Sequence, residues 1–105
     1  MNTLRLALNQ TRTFVRWLKA LRDPHAKARI LLRLQALQMG QWGDVKSLGK
    51  GLLELRIDVG PGYRIYLVHR QKDRNVLLCR GNKDTQARDI KRARALVAQL
   101  ERENT

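Results

Sequence analysis

On either side of Gly60-Pro61-Gly62 the chain alternates apolar and polar residues, and no other feature limits its fold so tightly. Before the turn Leu53, Leu55, Ile57 and Val59 alternate with Glu54, Arg56 and Asp58, and the pattern resumes from Tyr63 through Val68. A period of two marks a strand with one buried face, so two such runs about a Gly-Pro-Gly turn predict a β-hairpin. If the turn closes a three-residue loop, Val59 lies opposite Tyr63, Asp58 opposite Arg64 and Arg56 opposite Tyr66. Arg56, Asp58, Arg64 and Tyr66 then share an outward face, while Leu55, Ile57, Ile65 and Leu67 pack inward. A slip of one residue would exchange the faces of one strand.

The rest of the chain changes period around this hairpin. Leu4, Leu6 and Leu8 alternate with Arg5, Ala7 and Asn9, which predicts a short N-terminal strand. From Thr11 onward Phe14, Trp17, Leu18 and Leu21 recur at helical spacing, until Asp23-Pro24 ends that helix. Asp23 as N-cap and Pro24 at the first helical position open a second helix through Ile30, Leu31, Leu34, Leu37 and Gln38, closed by Gly40. Two short helices joined this tightly predict an antiparallel helical hairpin. Four glycines between Gly40 and Gly51 predict a loop up to Lys50. After a polar turn at Arg70 to Arg74, the apolar run Asn75 to Cys79 predicts a central strand. A last helix starts near Asp84-Thr85 with Ile90, Ala93, Leu96, Val97 and Leu100 on one face. The fold expected is one α+β domain over residues 1–105, in the order β-α-α-β-β-β-α.

Charge narrows the partners. Against 9 Asp+Glu stand 22 Lys+Arg, a formal net charge of +13, and 15 of the cations are Arg. Arginine forks onto phosphates and stacks on bases, so the balance points to nucleic acid or a ribonucleoprotein. No apolar run approaches the roughly 20 residues that span a bilayer, and the start of the chain alternates where a signal peptide would be continuously apolar. A cytoplasmic protein with no membrane partner is expected. The single Cys79 and the separated His25 and His69 make no zinc ligand set, so neither metal nor cofactor is expected.

A dense series of strings carries a family resemblance: Trp42-Gly43-Asp44-Val45-Lys46, Glu54-Leu55-Arg56-Ile57, Gly60-Pro61-Gly62-Tyr63-Arg64-Ile65-Tyr66, and Gly81-Asn82-Lys83-Asp84-Thr85-Gln86 with Asp89-Ile90. Together with Leu21-Arg22-Asp23, Ala28-Arg29-Ile30 and Arg33, they cover about residues 11 to 100. In these strings the chain resembles the RelE/ParE toxin superfamily, in its HigB-like addiction-module killer branch. The resemblance implies a RelE-like, microbial RNase-like fold, a twisted antiparallel sheet packed against helices with an exposed basic face. It implies the toxin of a type II toxin-antitoxin system, with an adjacently encoded antitoxin, often of helix-turn-helix type, as partner. Ribosome-dependent members cut mRNA without a metal, by attack of the RNA 2′-hydroxyl on the adjacent phosphate. Members with the same fold instead poison DNA gyrase, and a basic binding module without toxicity is the third possibility.

Site residues follow position by position. Arg64 matches the arginine that contacts the scissile phosphate, Arg56 and Lys83 match neighbouring basic positions, and Lys46 in the Gly-rich segment is a further phosphate contact. Ribosome-dependent relatives often carry a Tyr or His near the start of the terminal segment, which here reads Gln86-Ala87-Arg88-Asp89-Ile90. Tyr66, Lys46, Lys83 or Asp89 would then supply acid and base. Gln86, Arg88, Lys91 and Arg92 extend the RNA footprint, and Trp42 either stacks on RNA or anchors its loop on the core. Each has a plainer reading: Arg64 pairing with Asp58, Glu54 holding Arg56 as a surface ion pair, and Gln86 and Asp89 starting the last helix. Tyr63 is expected in the core and Tyr66 exposed, His25 on the surface, His69 inward or in an edge strand, and Cys79 buried.

Overall fold

The computed structural model describes residues 7–70 and 74–103. The predicted N-terminal strand appears as β1 (Ala7–Gln10), and Leu4 and Leu6 lie outside the described residues. Then follow α1 (Arg12–Ala20), α2 (Pro24–Gln38), β2 (Val45–Gly49), β3 (Leu52–Ile57), β4 (Tyr63–Arg70) and β5 (Arg74–Asn82). A 3-10 turn (Lys83–Thr85) leads into α3 (Gln86–Glu103).

The helix boundaries sit where side-chain chemistry sets them. Thr11 caps α1 by accepting from the Phe14 N–H at 3.1 Å, and its hydroxyl also donates to the Leu78 carbonyl at 2.6 Å, tying the helix start to β5. The Asp23 carboxylate accepts from the His25 and Ala26 N–H groups, and Pro24 occupies the first helical position of α2. Asn82 caps the turn before α3, its side chain receiving the Asp84 and Thr85 N–H groups.

The five strands form one sheet in the order β1-β5-β4-β3-β2. Two expectations are corrected here. The sheet is mixed, because β1 runs parallel to β5 while the other pairings are antiparallel. An alternating pattern fixes the faces of a strand but not its neighbour. The segment read as a loop up to Lys50 contains β2, in which half-buried Val45 pairs with Leu55 of β3 and half-buried Leu48 falls at the bulge between Ser47 and Gly49. With two inward side chains and a glycine at its end, so short an edge strand leaves little alternation to read.

The sheet carries a core on each face. Phe14, Ile30, Leu34 and Leu37 of α1 and α2 pack on Leu55, Ile57, Ile65, Leu67 and Leu77, which confirms the inward set predicted for the hairpin. On the opposite face Leu52, Tyr66, Val68, Val76, Leu78 and Cys79 lie beneath α3, with Ala93 buried among them and Ile90, Leu96, Val97 and Leu100 packed around. Burying each such aliphatic side chain contributes about 1.5–3 kcal/mol. The face predicted to stand open is therefore covered for most of its width. It stays accessible at its two ends, beside the start of α3 and beside the last turns of that helix.

Candidate phosphate-binding site

The hairpin loop spans five residues, 58 to 62, where three were expected. Arg56 therefore stands opposite Arg64, Leu55 opposite Ile65 and Glu54 opposite Tyr66. The shift is two residues, and an even shift keeps every side chain on its predicted face. Arg56, Arg64 and Tyr66 do share a face, but Asp58 leaves the ladder, and its expected pairing with Arg64 is replaced.

The replacement is Glu54, a fully buried carboxylate at the centre of the site. Its Oε1 accepts from Arg64 Nη1 at 2.8 Å and Arg56 Nε at 3.2 Å. Its Oε2 accepts from the Tyr66 hydroxyl at 2.9 Å and from Gln86 Nε2 at 2.8 Å. Burial alone would raise the Glu54 pKa, but the hydrogen bonds from Gln86, Tyr66 and Arg56 and the charge of Arg64 outweigh it and hold the carboxyl below its usual range. Glu54 is thus an ionised, fully engaged acceptor. The surface ion pair expected of it with Arg56 is instead a buried anchor holding two guanidinium groups side by side. Two cations so close would repel, and the shared carboxylate offsets that repulsion while leaving the pair net positive. Their side chains retain 38% and 15% exposure for Arg56 and Arg64, so both reach solvent and can meet a ligand.

Tyr66 was expected outside and is fully buried, because α3 covers its face. Burial, the bond to Glu54 and that carboxylate's charge push its pKa well up, so the hydroxyl stays protonated and serves as a donor to Glu54. Tyr63, expected in the core, is half-buried against the α1/α2 core with its ring 5.9 Å from Trp17.

The start of α3 closes the site from above. Gln86 reaches down to Glu54, and Asp89 is buried at 4% exposure, accepting from the Thr85 hydroxyl and lying against Gly81. Gly81 pairs with Arg64 across β4–β5, so a side chain there would collide with Asp89. Lys83 stands two residues beyond Gly81, exposed on the 3-10 turn. Lys46 pairs with Glu54 across β2–β3 and is exposed on the other flank. Arg88, Lys91 and Arg92 are exposed on α3, Arg88 lying 4.0 Å from Asp89.

Trp42 is not brought to the site. It packs against the α1/α2 core, edge-on to His69 at 5.8 Å. His69 is half-buried in an interior strand and bonded to Asn75, His25 is exposed, and Cys79 is buried. Among the described residues no three of His, Cys, Asp and Glu gather to hold a metal ion. No helix of the described residues is long and apolar enough to cross a membrane.

Besides Glu54, the sequence reading passed over the role of Arg33. From α2 it donates to the carbonyls of Arg56 at 2.6 Å, Trp42 at 3.0 Å and Asp44 at 3.2 Å. It thereby clamps the segment before β2 onto β3 behind Arg56. An arginine interrupting the inward Ile30, Leu34, Leu37 stripe was the available signal.

A Haemophilus influenzae protein of uncharacterised function is 45% identical over 95 residues, spanning 90% of this chain and 96% of its own length. The description of the phage-derived protein Gp49-like family matches residues 16–99, a span holding Arg33, the β2–β5 sheet, the Glu54 cluster and nearly all of α3. The chain belongs to the phage-derived protein Gp49-like family.

Proposed function

We propose that this chain is the toxin of a type II toxin-antitoxin pair and acts as a ribosome-dependent mRNA endoribonuclease. Membership of the Gp49-like family supports the first half, since that family suggests a toxin of such a pair. An antitoxin encoded next to it is the corresponding partner, and the ribosome with its mRNA is the target. The observation that carries the second half is the Glu54-held pair of Arg56 and Arg64, open to solvent beside two exposed lysines.

In this reading the RNA 2′-oxygen forms a bond to the adjacent phosphorus while the bond to the 5′-oxygen breaks, leaving a cyclic phosphate and a free 5′-hydroxyl. Arg56 and Arg64 face the non-bridging oxygens, where negative charge accumulates as the phosphorane forms. Lys83 at the start of α3 adds a third cation. The proton reaching the 5′-oxygen comes from the exposed ammonium group of Lys46 or Lys83, and the one leaving the 2′-hydroxyl passes to solvent water, because Glu54, Tyr66 and Asp89 are buried and already bonded. That engagement of every acid and phenol around the arginines favours a second reading, a gyrase poison that uses the same basic face without cleaving RNA.

Induction of the chain in bacteria, with mapping of mRNA 5′ ends over time, separates the two. New ends inside translated codons are expected, falling by about 10²-fold or more in Arg64→Ala, the scale for losing one donor to a developing oxyanion. Growth arrest with intact mRNA and a DNA-damage response assigns the chain to gyrase instead. Unchanged cleavage in both Arg64→Ala and Lys83→Ala removes the site.

A further inference from the structure

A cleft of about 780 Å³ opens at the other end of α3, lined by Lys50, Arg70 and Arg74 together with Asn9 and Gln10 of β1 and Glu101 of α3. Arg70 and Arg74 stand directly opposite one another where β4 meets β5. Like charges in direct cross-strand register destabilise a sheet. Among the described residues neither guanidinium has a hydrogen bond or an ion pair to offset that repulsion, and the two are not held by a buried carboxylate as Arg56 and Arg64 are. An anion bound between the two guanidinium groups would offset their repulsion.

The cleft lies on the same sheet face as the first site. Arg64 and Arg70 are six residues apart on β4, or roughly 20 Å at about 3.3 Å per residue. Exposed cations bridge the interval along the edge of β2: Lys46 beside Glu54, Arg94 donating to the Leu48 carbonyl at 2.7 Å, and Lys50 at the cleft. We infer that this cleft is a second phosphate-binding site, occupied by the backbone of the same single-stranded RNA that reaches Arg56 and Arg64 by way of the β2 edge. The inference rests on the RNA reading above. The cleft holds the strand at a distance from the reacting phosphate, and its polar lining from β1 gives hydrogen-bonding groups beside the cations.

The test is the purified full-length chain with a labelled 2′-O-methyl RNA of about twelve nucleotides, which cannot be cleaved, titrated at several salt concentrations. Removing two phosphate contacts on a single strand lowers the salt slope by about 1.4, which corresponds to about 25-fold weaker binding at 0.1 M salt. The Arg70→Ser, Arg74→Ser double variant is expected to show that loss while melting at the same temperature as the parent or higher, since the cross-strand repulsion is relieved. Unchanged RNA affinity overturns the proposal, and so does weaker binding accompanied by a lower melting temperature, which makes the arginines structural. Inorganic phosphate or a mononucleotide that stabilises the parent but not the variant, with strand affinity equal in both, assigns the cleft to a free anion and overturns the RNA. Arg64→Ala runs in parallel: lost affinity there with none lost in the double variant rejects the cleft alone, and the converse rejects the first site alone.

Discussion

Glu54→Gln keeps the shape of the buried side chain and removes its charge, which makes it the sharpest probe of the site. Tyr66 can rotate its hydroxyl to accept, and Gln86 can turn its amide, so the Oε2 partners re-form around a glutamine nitrogen. Arg64 and Arg56 keep an acceptor at Oε1 but lose their counter-charge. Breaking a buried ion pair by removing one partner costs about 3–5 kcal/mol. Side-chain exposure of 38% at Arg56 and 15% at Arg64 lets water recover part of that, which leaves about 2–3 kcal/mol. At about 4–8 °C per kcal/mol for a domain near this size, the melting temperature at neutral pH should fall by about 10–20 °C.

The same substitution has a pH signature of defined sign. Glu54 holds its proton less tightly folded than unfolded, so its contribution is complete above its usual value of 4.5 and declines as pH falls below that toward the lower folded value. The wild-type chain should therefore lose an increment of stability in that acid window that Glu54→Gln lacks, and the gap between their melting temperatures should narrow. Thermal unfolding followed by circular dichroism at neutral pH and at stepped acid pH measures both. A melting temperature within about 3 °C of wild type at neutral pH, or a gap that widens toward acid, would mean that the Glu54 charge does not hold the two arginines.

Gly81→Ala should destabilise the chain by about 1–3 kcal/mol in urea unfolding, because its Cβ would come within 2.6 Å of the Asp89 Cγ at the buried start of α3. Adding Asp89→Ala should return most of that loss, and a double variant no more stable than Gly81→Ala would show that the collision is not the cause. Burial pushes the Cys79 thiol up to about 11, so alkylation by iodoacetamide near pH 8 should be slow in the folded chain and should track global unfolding when denaturant is added. Rapid modification of the native chain would contradict the packing beneath α3.

Faces proved more legible than partners. The alternation about Gly60 to Gly62 placed Leu55, Ile57, Ile65 and Leu67 correctly although the loop is longer than expected, because the offset was even and side-chain direction depends only on parity. Helix starts were legible through Thr11, Asp23 and Pro24, whose preferences are local. The parallel pairing of β1 with β5 depends on how distant segments meet, which no local pattern encodes. Burial of Tyr66 was the costlier miss. Alternation says which side a residue faces, but not whether a second layer lies there. The apolar stripe from Ile90 to Leu100 required a surface to cover, and with α1 and α2 occupying one face of the sheet, only the Tyr66 face remained. Once that layer is added, Glu54 has to be buried as well, and a buried carboxylate between two arginines becomes an organising group.

A site whose carboxylate is saturated by four donors cannot also move protons, so the cluster is built to fix positive charge in place. Fixed cations lower a phosphoryl barrier only when the phosphate is already oriented for attack, since electrostatic stabilisation acts on the transition state and does not by itself align a flexible strand. Orientation must then come from contacts away from the reacting phosphate. In the proposed reading the ribosome supplies one such constraint by holding the codon, and the Lys50, Arg70 and Arg74 cleft supplies another by holding the strand roughly 20 Å away. A free strand would engage both protein sites without the codon held in place. It follows that the chain should bind isolated RNA in a salt-sensitive manner yet cleave it far more slowly than translated mRNA, and equal cleavage rates on the two would remove the need for the ribosome from the proposal.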